Sequence, residues 1–164
     1  MARTKSIKFP NSSDELSNLF DKLQRRFANL VFNTGALAIK QGGSALAKTA
    51  NAIHFIIDGV LATKAAADMA ALSGSAVPDG SKNVYVFTVN VSGTLKTYVG
   101  TASTTLAGIA FPTVADGEAV IGFIVVENGT GSNFTPGTTA LDTGSLTVTY
   151  VNTPYPFIPG IETL

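Results

Sequence analysis

The sequence predicts a mainly β protein: a small antiparallel β-sandwich or barrel preceded by an N-terminal extended arm and one amphipathic helix. Three observations predict it. Several short apolar or alternating runs are separated by Gly, Asn and Thr turns. An Asp58-Gly59 pair sits between apolar flanks, a strong two-residue hairpin signal because both central positions take positive φ. The run "EAVIGFIVVENG", starting at Glu118, is almost continuously apolar and suits a strand covered on both faces.

The elements follow in order. The opening, 1–11, is short and basic and ends at Phe9-Pro10, which fits an extended arm. Ser12 and Glu15 then form the S-x-x-E pattern of a helix start, in which each side chain satisfies a free backbone N–H of the first turn. Leu16, Leu19, Phe20, Leu23, Phe27 and Leu30 recur at helical spacing, with Asp21, Lys22, Arg25 and Arg26 on the other side. The predicted helix stops near Asn33-Thr34-Gly35. From Ala36 the pattern is β: "ALAIK", a Gly42-Gly43 turn, and the hairpin "AIHFIIDGVLATK". "AAADMAAL", Ala65 to Leu72, is helix-prone and short. In "NVYVFTVNVSGTLKTYVG", a second hairpin, Tyr85, Phe87, Val89 and Val91 share one face and Ser92-Gly93 turns the chain. Leu146 to Val151 is the last strand. Pro154, Pro156 and Pro159 make the tail extended rather than a strand, because proline cannot donate to a ladder. Tyr155, Phe157 and Ile158 give the tail apolar anchors, either on its own domain or on a neighbour. The organisation is therefore 1–35 arm and helix, 36–151 β domain, 152–164 tail.

The chain of 164 residues is long enough for one domain with a sizeable core. Charged residues are 13% and hydrophobic ones 45%, so a partly covered surface is one reading and Ala, Gly and Thr richness is the other. No cysteine is present, which excludes disulfides and thiolate metal sites. Net charge is zero, yet residues 1–48 hold eight Lys or Arg against Asp14, Glu15 and Asp21, while 83–164 hold Lys96 against five acids. A basic front favours docking on an acidic surface. Nucleic acid is disfavoured, because no basic cluster is interleaved with aromatics. "MARTKSIKFPNSS" lacks the apolar core of a signal peptide and no run is long enough to span a bilayer, so neither export by that route nor a membrane partner is expected.

The side chains that carry chemistry are sparse. His54 is the single histidine, without an identifiable proton-transfer or metal-binding companion. "GSALAKT", Gly43 to Thr49, falls short of a phosphate loop because Ala47 stands where glycine is needed before the lysine. Asp116, Glu118 and Asp142 read as turn residues rather than a carboxylate pair facing one cleft. No catalytic residue, metal or cofactor is expected. Exposed Tyr98 and Phe134 would be the platforms of a sugar-binding module, although tryptophan, the commonest such platform, is absent.

Three stretches together carry a resemblance: "ANAIHFIIDGVLATKAAADMAALSG", "NVYVFTVNVSGTLKTYVGT" and "PTVADGEAVIGFIVVENGTGSNFTPGTTALDTGSLTVTYV". The combination is similar to small virion proteins of tailed bacteriophages, among them capsid decoration (cement) and head-fibre-type proteins, over Asn51 to Val151. It implies a non-enzymatic virion component assembled in the host cytoplasm. The leading expectation is a cement protein that binds the major capsid protein or another virion protein, as a homo-oligomer, most simply a trimer. A tail, neck or fibre-attachment part, and a carbohydrate- or receptor-binding module, are the alternatives. Under this reading Arg3, Lys5, Lys8 and Phe9 are the expected contacts with the shell. The stripe Leu16, Leu19, Phe20, Leu23, Phe27 and Leu30 is the expected oligomer or packing surface.

Overall fold

The computed structural model describes Ser17, Phe20, residues 27–157 and Pro159. It is mainly β, with three antiparallel sheets. The strands are β1 (Asn29–Val31), β2 (Leu37–Ile39), β3 (Ala47–Thr49), β4 (Ile53–Ile57), β5 (Val60–Lys64), β6 (Lys82–Asn90), β7 (Leu95–Val99), β8 (Glu118–Glu127) and β9 (Thr147–Asn152), with a 3-10 turn at Leu106–Gly108. Their orders are β1-β4-β5, β2-β3 and β7-β6-β8-β9.

The four-stranded sheet is the organising element. β8 is buried along nearly its whole length because it is covered on both faces. On one face Tyr85, Phe87, Val89, Ala119, Ile121 and Ile124 meet Val31, Ile53, Phe55 and Ile57 of the three-stranded sheet in a single apolar core. On the other face Val84, Val86, Phe123 and Val125 form a second core. There Phe111 stands edge-on to Phe123 and to Phe157, with ring centroids 5.0 and 5.2 Å apart, and Phe157 stacks on Phe123. The tail thus packs back on its own domain and closes that face. Burial of such rings is the largest single contribution a side chain makes to a core of this kind.

Local chemistry explains the hairpins. Asp58 and Gly59 both take positive φ, 49° and 81°, and β4 pairs β5 on either side of them. Tyr85, Phe87 and Val89 face the main core as the alternation predicts, whereas Val91 lies past the strand end and is exposed. Opposite Phe87 the ladder shifts register, and Gly122 sits at that shift. A side chain there would collide with the Val151 carbonyl, so only glycine lets β9 lie this close.

Two expectations are corrected. The predicted helix lies mostly outside the described residues, of which Ser17, Phe20, Phe27 and Ala28 are helical, and it is its C-terminal end that is corrected. Leu30 is part of β1, which pairs antiparallel with β4, so the stretch assigned to arm and helix, 1–35, contributes a strand to the β domain. The physical reason is burial of Val31, 1% exposed between the sheets, together with Asn29, whose side-chain carbonyl accepts the Asp58 N–H. Ala65 to Leu72 is extended rather than helical. Met69 and Leu72 are buried in the main core, and the Met69 N–H donates to the Ala47 carbonyl. Tertiary packing there overrides the helix propensity of alanine.

Candidate partner-binding surface

Of the residues expected to bind partners, Arg3, Lys5, Lys8, Phe9, Leu16, Leu19 and Leu23 lie outside the described residues. Phe20 and Phe27 are exposed. Leu30 lies on the outward face of β1, since its neighbour Val31 points into the core. The β-ladder sets Leu30 beside Ile56 and Ile56 beside Leu61, so the three share that outward face. Phe32 follows, its N–H donating to the His54 carbonyl, with its side chain exposed. His54 faces the same way and its Nδ1 is 2.9 Å from the Thr63 hydroxyl. The result is an outward sheet face made of Leu30, Phe32, Ile56 and Leu61 with a His54–Thr63 pair. The alternation of "IHFIID" shows that one face of β4 is turned away from the core. The pairing with Leu30 and Leu61 is a tertiary fact that spacing does not carry.

The polar side chains are spent on locking loops and strands. Asp142, in the threonine-rich loop before β9, accepts the Gly43 N–H with both carboxylate oxygens at 3.1 and 3.0 Å, and Leu141 N–H donates to Ser44. The last loop thereby holds the β2–β3 hairpin. Buried Asn128 donates from Nδ2 to the carbonyls of Val77 and Ser132, and Asp79 accepts the Gly131 N–H, which ties down the turn after β8. The Asn152 side-chain carbonyl accepts the Leu37 N–H and so joins β9 to β2. Lys82 pairs with Glu127 across β6 and β8.

Among the described residues Glu118 is the one acid whose side chain is almost completely buried, at 3% exposure. Burial alone would raise its pKa, but hydrogen bonds from Lys96, Thr88 and Tyr98 outweigh that and hold it below the ordinary range. Thr88 Oγ1 donates at 2.6 Å and the Tyr98 hydroxyl at 3.1 Å, and Lys96 completes the pair. Desolvation raises the Tyr98 pKa, with its bond to Glu118 adding to the effect. Each polar atom in this cluster has its partner, the arrangement expected of a group that fixes strand positions. Sequence reading places Glu118 in a turn; it opens β8 instead.

Phe134 is fully buried edge-on to Tyr85 and offers no platform to a sugar. Tyr98 is half-buried and engaged by Glu118. The lysine and threonine of "GSALAKT" lie in strand β3, not at the start of a helix where a phosphate would be bound. Among the described residues no group of three His, Asp or Glu is placed to hold a metal ion, and no helix is long and apolar enough to cross a membrane. Comparison with known protein families, with curated proteins and with solved structures finds no match in any of the three.

Proposed function

We propose that the chain is a non-enzymatic structural protein of a tailed-phage virion, a β-sandwich cement protein that binds and stabilises the assembled head. The observation that supports this best concerns the stretch that resembles virion proteins, Asn51 to Val151. Its polar residues serve rigidity: Asp142, Asn128, Asp79 and Glu118 each hold a loop or a neighbouring strand of the same domain. Locked loops and two cores suit a part that must keep its shape on a particle. The attachment residues on this reading are Arg3, Lys5, Lys8 and Phe9. An arm of this kind gains backbone hydrogen bonds along a neighbouring strand edge, and its cations add salt-sensitive attraction to an acidic shell.

The test is co-sedimentation of purified protein with shells that lack it, in moderate salt. Full-length protein should pellet with the shells. Protein lacking residues 1–26 should stay in solution while its circular dichroism remains that of the folded domain. Shells carrying the protein should rupture at higher temperature, because a ligand of the assembled state stabilises that state. Full binding by the folded truncate would move attachment into the β domain. No binding by the full chain would reject the head as its station.

A further inference from the structure

We infer that the slot between Phe111 and Phe123 on the second core is a docking site for a proline-flanked phenylalanine. The chain's own tail fills it, and the tail of a second copy can take its place when that strap is lifted. The floor is the four-stranded sheet, where Phe123 of β8 and Val151 of β9 are ladder neighbours on the same face. The wall is Phe111. It follows Ala110, which exchanges a pair of backbone hydrogen bonds with Thr101, and the preceding Gly100 N–H donates to Val84 of β6. None of these bonds involves the tail, so the slot is built without its occupant, the condition that keeps the cost of docking low.

The tail is attached differently from the strands. Thr153 is fully buried, and its N–H donates to the Ile121 carbonyl at 3.2 Å. Beyond it, Pro154 and Pro156 have no N–H to give, and Tyr155 and Phe157 make no hydrogen bond to another described residue. Rings hold the segment instead. Phe157 stacks on Phe123 at 5.5 Å and meets Phe111 edge-on, while half-exposed Tyr155 stands edge-on to Phe157 at 6.4 Å. Phe157 packs on the second core alone, so the main core between the sheets does not depend on it. A short, proline-restricted segment that sets its anchor into an aromatic-lined slot is also how proline-rich peptides are bound in trans. The occupant is named by what the slot already holds. A second copy carries the same segment, and exchanging an identical element between copies needs no new complementarity. This inference is independent of shell binding, since it uses neither the basic arm nor any head protein.

The probe is a fluorescein-labelled peptide of residues 152–164, titrated with the full chain carrying Phe157→Asp and read by fluorescence anisotropy. That chain keeps the slot but cannot fill it with its own tail. The peptide should bind it saturably, and about tenfold or more tightly than it binds wild type, where the tethered tail competes at an effective concentration of about millimolar. The same peptide with Phe157→Asp should bind about tenfold or more weakly, as loss of a central aromatic anchor does. Circular dichroism checks folding, and a Phe157→Ala chain serves as a milder acceptor. No saturable binding to either folded chain, or equal binding of the two peptides, would overturn the inference. So would unfolding of both variant chains, because the tail would then be part of the domain's core and not a separable strap. No shell enters these titrations, so their result stands apart from that of the co-sedimentation.

Discussion

Replacing Gly137 with alanine separates two costs that usually arrive together. Gly137 has φ of 73°, and a side chain there would come within 2.6 Å of the Leu72 carbonyl oxygen. Gly80 has nearly the same φ, 74°, with nothing within 4 Å of the added carbon. Both substitutions incur the left-handed penalty of about 1–2 kcal/mol. Only Gly137→Ala must also displace a backbone carbonyl, the kind of overpacking that costs a further 1–3 kcal/mol or so. The carbonyl cannot yield cheaply, because the buried Leu72 side chain fixes that segment in the main core. Each kcal/mol lowers the melting temperature of a domain this size by about 2–4 °C. Gly80→Ala should therefore melt roughly 2–8 °C below wild type, and Gly137→Ala lower again by at least about 2 °C. Thermal melts followed by circular dichroism make the comparison. Equal melting of the two variants would refute the close approach of the Pro136-Gly137 turn to Leu72.

Further outcomes are expected at Glu118, Tyr85, Asp142 and the N-terminal segment. Glu118→Ala leaves the buried Thr88 hydroxyl without its acceptor and should cost about 2 kcal/mol in urea unfolding. Because the folded-state pKa of Glu118 lies below its ordinary 4.5, its stabilisation is present above that pH. It is lost as pH falls through the folded value, and Glu118→Gln should flatten this part of a stability–pH profile. Burial pushes the Tyr85 hydroxyl up to about 12 against an opposing influence of the neighbouring Asn83 side chain, which is not placed to make a well-formed hydrogen bond to the buried oxygen. Tyr85→Phe should therefore raise stability, by about 1 kcal/mol, as read by chemical denaturation. Asp142→Ala should speed hydrogen exchange at the Gly43 amide by about tenfold while the β6–β8 amides stay protected. Removing residues 1–26 should preserve the melting transition, whereas removing 1–33 takes out β1 and Val31 and should lower it by several degrees.

What the sequence made legible was what local chemistry decides. Asp58-Gly59 has one good use between apolar flanks, and the run from Glu118 is too apolar to face water on either side. The alternation from Tyr85 to Val89 names its core face without knowledge of the partner sheet. The misreadings came where a local preference was outweighed at a distance. Leu30 fits a helical spacing, but the N–H and C=O groups of Asn29 to Val31 are satisfied by β4, some 25 residues on. Ala65 to Leu72 has the composition of a helix, yet Met69 and Leu72 gain more by lying extended across the core mouth. The tail was ambiguous because Phe157 finds its site only after Phe111 and Phe123 have been brought together. The candidate surface was hidden for the same reason: Leu30, Ile56 and Leu61 are neighbours only in the folded sheet.

The central proposal, that the chain is a component of a virion head, is tested most directly by its copy number in purified particles. Quantitative mass spectrometry against the major capsid protein gives that ratio. The cement reading predicts hundreds of copies per particle, since a closed shell repeats its surface sites many times. About a dozen copies or fewer would place it at the neck or tail, and absence from the purified particle would contradict a virion role altogether.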